Sequence, residues 1–517
     1  MTDSNLQNRR PSPAGIAAAL TAVLLMIPVP LRMDDGYFNI VETKSRTLAA
    51  VLGLAVLFAA VTAADTADRR FALKENAGFG RRVSAVGISG FALSALVSSL
   101  LSEDPAASLT GSAGWGIGAF VIAASAVTAF YLARYLPRQL SWKRPLSASR
   151  GSWILIPASA AILPVTLMTL IQAAGIDLFS LHAHIAPQHF FDYLGPLGNV
   201  NAHVPWLCLT IPALLVCYLR AEKCRAAVFL FLLELCLLDA VLTGCDGTAA
   251  GLGFAAFFAV PLITGSDDSL RRFLAAAGVF GLSLVLVVYL PAYAARRAAA
   301  SGLMGLFLKP AAALLLIPAG FAGWFLMSSR WDKSGKRQRL FRRIFAAVMS
   351  AVLTAAALYF FYDLAVHFSD SWGTSRGLIW RTALESRAQA SLKDRLFGIG
   401  PERQVVVLSS LRITGLAVKT VHSEALQILL TMGINGLIWW ITAWIGVILM
   451  WIECRQSART AMAEPGAGTD DRYPHTDDRC LRTAGMLALL AYLGQSFFNS
   501  TTPTGMALLI LAYAVCR

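Results

Sequence analysis

Charge is what this chain has least of. Only 14% of its 517 residues are Asp, Glu, Lys or Arg, while 56% belong to the hydrophobic set. An ordinary soluble domain carries roughly 25% charged residues and about 45–50% apolar ones. The deficit runs along most of the sequence. That excludes intrinsic disorder, a collagen-like chain and a small secreted scaffold, and it does not fit a cytosolic enzyme. Acidic residues are scarcer than basic ones, 30 against 44, for a formal net charge of +14. In a soluble protein such an excess would suggest nucleic acid. In a chain this apolar, the charge is sorted first by side of a membrane, and no nucleic-acid partner is expected. The eight cysteines are scattered in or near apolar runs and imply no disulfide framework. A Walker loop, a dinucleotide fingerprint, an H-E-x-x-H sequence and an internal repeat are all missing. Neither a cofactor nor energy coupling is expected.

What fills the sequence is a series of long apolar runs, which need lipid as solvent. The expected fold is an all-α polytopic membrane protein of about fourteen spans, each long enough to cross about 30 Å of hydrocarbon. Their expected limits are 14–31, 47–64, 83–101, 114–134, 152–173, 197–219, 226–243, 248–264, 273–290, 305–326, 344–366, 424–452, 483–498 and 503–516. The organisation is then helices 1–11 over 1–366, a large extracytoplasmic loop over 367–423, and helices 12–14 over 424–517 with a cytoplasmic linker at 453–482.

Basic residues set the orientation. Arg69, Arg70, Lys74, Arg81 and Arg82 follow the second span; Arg138, Lys143, Arg144 and Arg150 the fourth; Arg220, Lys223 and Arg225 the sixth; Arg271 and Arg272 the eighth. Arg330, Lys333, Lys336, Arg337, Arg339, Arg342 and Arg343 follow the tenth, and Arg9 and Arg10 precede the first. Every second connection is basic. Both termini are therefore expected in the cytoplasm, and the first span reads as a retained helix rather than a signal peptide. Of the opposite connections, 102–113 and 174–196 contain no Lys or Arg.

The exception is 367–423, with eight basic residues (Arg376, Arg381, Arg387, Lys393, Arg395, Arg403, Arg412, Lys419) against four acidic ones. A long external loop tolerates such charge as plain solvated surface. The sharper reading is that it meets an anion. Within it, Trp380, Leu384, Ala388, Leu392 and Leu396 recur every fourth residue. This predicts one amphipathic helix over 375–396, capped by Thr374 or Ser375 and flanked by an Arg381–Glu385 pair, whose ordinary meaning is a cover over the bundle. The loop ends at His422-Ser423-Glu424. Six of the seven histidines fall on this side, and only His475 is cytoplasmic. A histidine at a bundle mouth beside arginines suits a general base next to an anion site; the plain alternative is an interfacial histidine bonded to a carbonyl.

Four motifs in order resemble the O-antigen ligase family. His422-Ser423, nine residues, Gly433, two residues and Gly436 fit H-[N/S/Q]-x9-G-x-x-[G/T/Y]. The run 375–384, with Arg376, Trp380, Ala383 and Leu384, looks like the family's "R…W…AL" helix, and 396–401 looks like its "P-hydrophobic-G-x-G" turn. The run 195–201, ending in Asn199-Val200-Asn201, resembles its "G-x-F-x-N-x-N" span entry. The resemblance covers mainly 195–260 and 372–440. It implies a divergent member of a superfamily of inverting, metal-independent membrane glycosyltransferases. These act at the extracytoplasmic face of the cell membrane, transferring a glycan from undecaprenyl diphosphate to an acceptor hydroxyl on a glycan, lipid or protein. His422 would be the base. Arg376 and Arg381, then Arg403 and Arg412, would bind the diphosphate, with surface charge as the plain alternative for each. Glu424, Gly433, Gly436 and Asn201 would support the site.

One departure stands out. Where the family carries an arginine at the start of the span over 248–264, this sequence has Cys245-Asp246, so another cation such as Arg296 or Arg297 would have to serve. A polysaccharide polymerase is the nearest alternative. A lipid-linked oligosaccharide flippase is the alternative of another class, for which Glu234, Asp239 and Lys309 could line a pathway. His182, His184 and His189 form a loose metal-like set without a clear fourth ligand.

Overall fold

A computed structural model describes residues 12–65, 78–112, 114–136, 154–299, 304–307, 309–328, 335–413, 416–463 and 476–516. The basic positions Arg9, Arg10, Arg69, Arg70, Lys74, Arg138, Lys143, Arg144, Arg150, Arg330 and Lys333, together with His475, lie outside the described residues, as do the side chains of Arg296, Arg297 and Arg412. Among the described residues, eleven helices are long and apolar enough to cross a membrane, from Pro13–Leu31 to Gly433–Gln456. The helices Ala119–Tyr135, Thr476–Ser496 and Pro503–Cys516 occupy the remaining positions expected for spans. The first and last of these are only 17 and 14 residues long. Helix Gly433–Ala463 and helix Thr476–Ser496 both reach into the expected 453–482 linker.

Small residues let the helices approach closely, which is how apolar helices associate when lipid removes the hydrophobic drive. Gly80 and Gly87 of helix Phe79–Leu100 lie against the backbone at Leu449–Met450 and at Ala443 of helix Gly433–Ala463, and Gly446 lies against Ser84 in return. A Cβ at Gly87 or Gly446 would overlap main-chain atoms. Gly320 and Gly278 make a second backbone-to-backbone crossing, between Pro310–Ser328 and Asp267–Val287. Val200–Arg220 is the central helix, with most of its residues buried, whereas Lys336–Val366 buries none.

The helix ends sort into two sets. At one, Gly80 N–H donates to Glu453 Oε1 (2.8 Å), and Arg342 pairs with Asp267 (2.8 Å). At the other, the 367–423 segment joins the connections 102–118, 174–199 and 497–502. Trp115 N–H donates to Glu402 (2.6 Å), and Ser98 Oγ–H donates to Thr431 O (2.7 Å).

The 367–423 segment folds on a small core of its own, made by Ile379, Trp380, Ala383, Leu408, Val418 and Val421 with Leu430. The single helix expected over 375–396 is two helices, Trp372–Gln389 and Leu392–Phe397. The reason is local: Ser391 Oγ accepts from Asp394 N–H (3.2 Å) as the N-cap of a new helix, and its hydroxyl donates to Asp394 Oδ2 (2.7 Å). The buried face is accordingly Gly377, Ile379, Trp380 and Ala383, and Leu384, Leu392 and Leu396 of the expected stripe are exposed. Thr374 and Ser375 do not cap the first helix: they sit within it in left-handed backbone, φ 61° and 67°. Arg381 pairs with Asp370 (3.1 Å) rather than with Glu385.

The span expected over 424–452 is also two helices, Glu424–Thr431 and Gly433–Ala463. Gly433 takes φ 67°, which only glycine adopts without cost, and its backbone lies on that of Leu396–Phe397. Gly398 lies in turn on Thr431–Met432. The turn 398–401 closes the first helix: Ile399 N–H and Gly400 N–H donate to the terminal carbonyls of Leu430 (3.3 Å) and Thr431 (2.9 Å).

Candidate functional site

His422 stands where the loop core, the broken helix pair and the central helix meet. Its backbone is held on both sides. Trp380 Nε1–H donates to Val421 O (3.1 Å), and Ser423 O accepts from Gln427 N–H (2.9 Å) as the next helix begins. The tryptophan of the 375–384 motif therefore fixes the residue that precedes the histidine. His422 itself takes φ 53°, a left-handed conformation that histidine visits more readily than most residues. This aims its ring back under the loop.

Around the ring are Arg376 from helix Trp372–Gln389 and Asn499 from the link between the last two helices. Cys245 and Asp246, which open helix Asp246–Ile263, lie beside Arg376. Asn499 Nδ2–H donates to Asn201 O (2.8 Å), and Cys245 Sγ–H to Asn201 Oδ1 (3.8 Å). Asn199 caps the central helix by accepting from Asn201 N–H (3.0 Å), and a short antiparallel hairpin, Tyr193–Leu194 with Gly198–Asn199, presents that cap. The polar residues of 195–201 thus reach the same site as His422, from the far side of the chain.

Burial is the main influence on His422 and disfavours its charged form; the positive charge of Arg376 adds to it, and Asn499 opposes it. Together they press the imidazole down to about 3, so it is neutral at pH 7. Burial also lowers Arg376, while Cys245 and Asp246 raise it. A guanidinium remains protonated through such a shift. Its Nη1–H donates to Gly373 O (2.9 Å). Two buried nitrogens of this group, Arg376 Nε and His422 Nδ1, have no hydrogen-bond partner among the described residues. Buried polar groups are almost always satisfied, so these two nitrogens are hydrogen-bonding capacity that the described residues leave unused.

The other sequence-level candidates fall elsewhere. Arg381 is at the exposed surface with Asp370, and Arg403 pairs with Asp104 (3.5 Å). Only the backbone of Arg412 is described, in the two-residue strand Arg412–Ile413. Glu424 does not bond His422: it accepts from Tyr492 Oη–H (2.7 Å) and faces into the bundle. Gly433 makes the helix break, and Gly436 packs against Met432 in the next turn. Glu402 is buried with its carboxyl pushed up to about 7 by desolvation, against the pull of Trp115 N–H and Gln404. His182, His184 and His189 do not converge: they meet Asp177 (3.1 Å), Asp35 (3.9 Å) and Asp192 (3.0 Å) separately. Among the described residues no three His, Cys, Asp or Glu side chains could share a metal ion.

Sequence reasoning missed Asn499. Its signal was the uncharged polar link 499–502 between two apolar helices, where Asn499 and Ser500 are each 1% exposed. No protein-family model matches the chain, and no curated protein matches it.

Proposed function

We propose that this chain is a membrane glycosyltransferase of the O-antigen ligase kind, with His422 and Arg376 as its reacting pair at the extracytoplasmic face. The observation that carries the reading is the adjacent orphan pair, a neutral imidazole nitrogen and a guanidinium N–H, both buried and both unpartnered. Transfer from a lipid diphosphate needs these two things. The acceptor hydroxyl must lose a proton as it attacks, and the departing diphosphate must have its growing charge met.

The acceptor O–H donates to the neutral ring of His422, and its oxygen attacks the anomeric carbon. The bond from that carbon to the diphosphate oxygen breaks, the proton passes to His422, and the electron pair leaves with the diphosphate towards Arg376. Attack opposite the leaving group inverts the anomeric centre. Asn499 and Asn201 position the ring and the mouth of the central helix.

Burial is the larger cause of the low proton affinity of His422, and Arg376 adds to it by repelling a second positive charge. A bound diphosphate neutralises Arg376, removes that repulsion and makes the histidine a stronger base. Donor binding thus arms the base. Asp246 beside Arg376 stands where the family's arginine would be, so the donor faces a site of balanced rather than positive charge.

The test is initial-rate transfer from a lipid-linked donor by the purified protein. His422→Ala is expected to lose about 10²- to 10⁴-fold, the range for a general base. Arg376→Ala is expected to lose about 10²- to 10³-fold. Wild-type turnover by His422→Ala overturns the reading. Full activity in a chelator is expected, and inhibition reversed by a divalent cation contradicts metal-independent transfer. A polymerase is distinguished by the product: an acceptor extended by many repeat units, rather than capped once by a finished chain.

A further inference from the structure

A second space opens on the bundle side of Glu424. It is a cavity of about 200 Å³ enclosed by the helices Phe79–Leu100, Ala119–Tyr135, Gly433–Ala463, Thr476–Ser496 and Pro503–Cys516. Its head lies at the loop end, where Glu402, Glu424, Gln427 and Thr501 line it. Its walls are mainly apolar and include Phe91, Trp440, Trp444 and Leu489. Along helix Gly433–Ala463 the lining reaches Val447, about 21 Å from the helix start at 1.5 Å per residue. The lining carboxyls gather at the loop end, and Ser84 and Ser125 lie further along the walls.

The chemistry of the lining sorts its occupants. Two carboxyls head the cavity, and among the described residues no Lys or Arg lines it. A phosphate-headed lipid would meet two acids and no cation there. A hydroxyl or ammonium would find acceptors at once. Two wall hydroxyls, Ser84 and Ser125, are 0% and 6% exposed and have no hydrogen-bond partner among the described residues. The wall therefore holds hydrogen-bonding capacity that the protein leaves unused.

We propose that this cavity is a second lipid site, one that holds a single-chain amphiphile with a hydroxyl- or amine-bearing head and no phosphate. The chain lies between the helices, and the head meets Glu402 and Glu424. The molecule then separates two lipids by charge. An anionic carrier belongs with Arg376, and a neutral or cationic amphiphile belongs on the other side of the 422–424 turn. The site is one of binding and stands or falls apart from the transfer reaction.

Trp440 and Trp444 in the wall supply the readout. The full chain in nanodiscs is titrated with a bromine-bearing long-chain alkylamine and, separately, with the alkyl phosphate of the same chain. Saturable quenching by the amine is expected, with the phosphate at least about tenfold weaker. Trp440→Phe with Trp444→Phe should remove the saturable part. Ala126→Phe, which fills the cavity, should abolish it. Glu402→Gln with Glu424→Gln, nearly isosteric, should weaken the amine about tenfold and leave the phosphate unchanged; this pair decides the matter if Ala126→Phe fails to fold. Equal quenching by the two probes, saturable quenching that survives loss of both tryptophans, or amine binding unchanged in the carboxamide variant overturns the proposal.

Discussion

Two buried histidines lie at the same end of this molecule, and they are opposites. His203 in the central helix is fully buried: its Nε2 meets Leu194 O (2.7 Å), and its Nδ1 lies 2.9 Å from Asp239 Oδ1. It sits between helix Lys223–Thr243 and the 193–199 hairpin, against an acid. His422 faces a cation instead of an anion and keeps Nδ1 unpartnered. A charge of opposite sign turns a histidine into a clamp. A charge of like sign adds to the burial that keeps the ring neutral. The difference lies in the partner, not in the histidine.

Changing each histidine separates the two roles. The largest effect expected on folding is that of His203→Ala, which strands the buried carboxylate of Asp239. Loss of one partner of such a pair costs about 3–5 kcal/mol. Thermal unfolding in detergent checks this, and His203→Ala with Asp239→Asn should recover part of the loss. His422→Ala should leave unfolding nearly unchanged while abolishing transfer, so a strongly destabilised His422→Ala would erase the contrast.

The next test is a pH profile. In the proposed transfer the neutral ring is the active form, and burial with Arg376 presses it down to about 3, so kcat/KM should have no acid limb due to His422 between about pH 5 and 7. In Arg376→Ala the repulsion is gone and the pKa rises. The protonated fraction then grows sooner as pH falls, and the acid limb of the residual activity moves to higher pH. Coincident limbs in the two enzymes would mean that Arg376 does not act on His422.

A smaller effect is expected from Asp246→Asn, which leaves the Arg376 charge less balanced and should tighten donor binding several-fold, read as a lower KM with kcat little changed. The smallest is Arg381→Ala. Its exposed pair with Asp370 is worth about 0–1 kcal/mol, and both transfer and stability should stay close to wild type.

Much of this was legible in the residue order. Apolar runs gave the helices, because a chain in lipid must satisfy its backbone internally. The motifs at 375–384 and 422–436 singled out Arg376 and His422, which the fold brings to one place. The surplus of basic residues in 367–423 did not by itself separate Arg376 from the others. Arg381 and Arg403 are paired with acids near the surface, Lys393 donates to Leu101 O (2.9 Å), and Arg376 lies inside beside His422. Counting charge cannot tell a paired arginine from a buried one. The stripe over 375–396 misled for a similar reason: its spacing is helical throughout, yet the Ser391 N-cap starts a second helix within it. Asn499 was out of reach, since it comes to His422 from a segment far away in the chain, whereas Cys245-Asp246 stood out only as a departure from the motif.

The sequence by itself determined the class of the molecule, a bundle of apolar helices with a polar loop carrying a histidine at its end. Composition and periodicity are properties of each segment, and hydrocarbon enforces them segment by segment. Which arginine meets that histidine, which acid stands beside it, and that a carboxyl-headed cavity lies behind Glu424 were decided by tertiary structure alone. These depend on distances between segments, and those distances are set by glycine-on-backbone crossings such as Gly87 on Ala443 and Gly398 on Thr431.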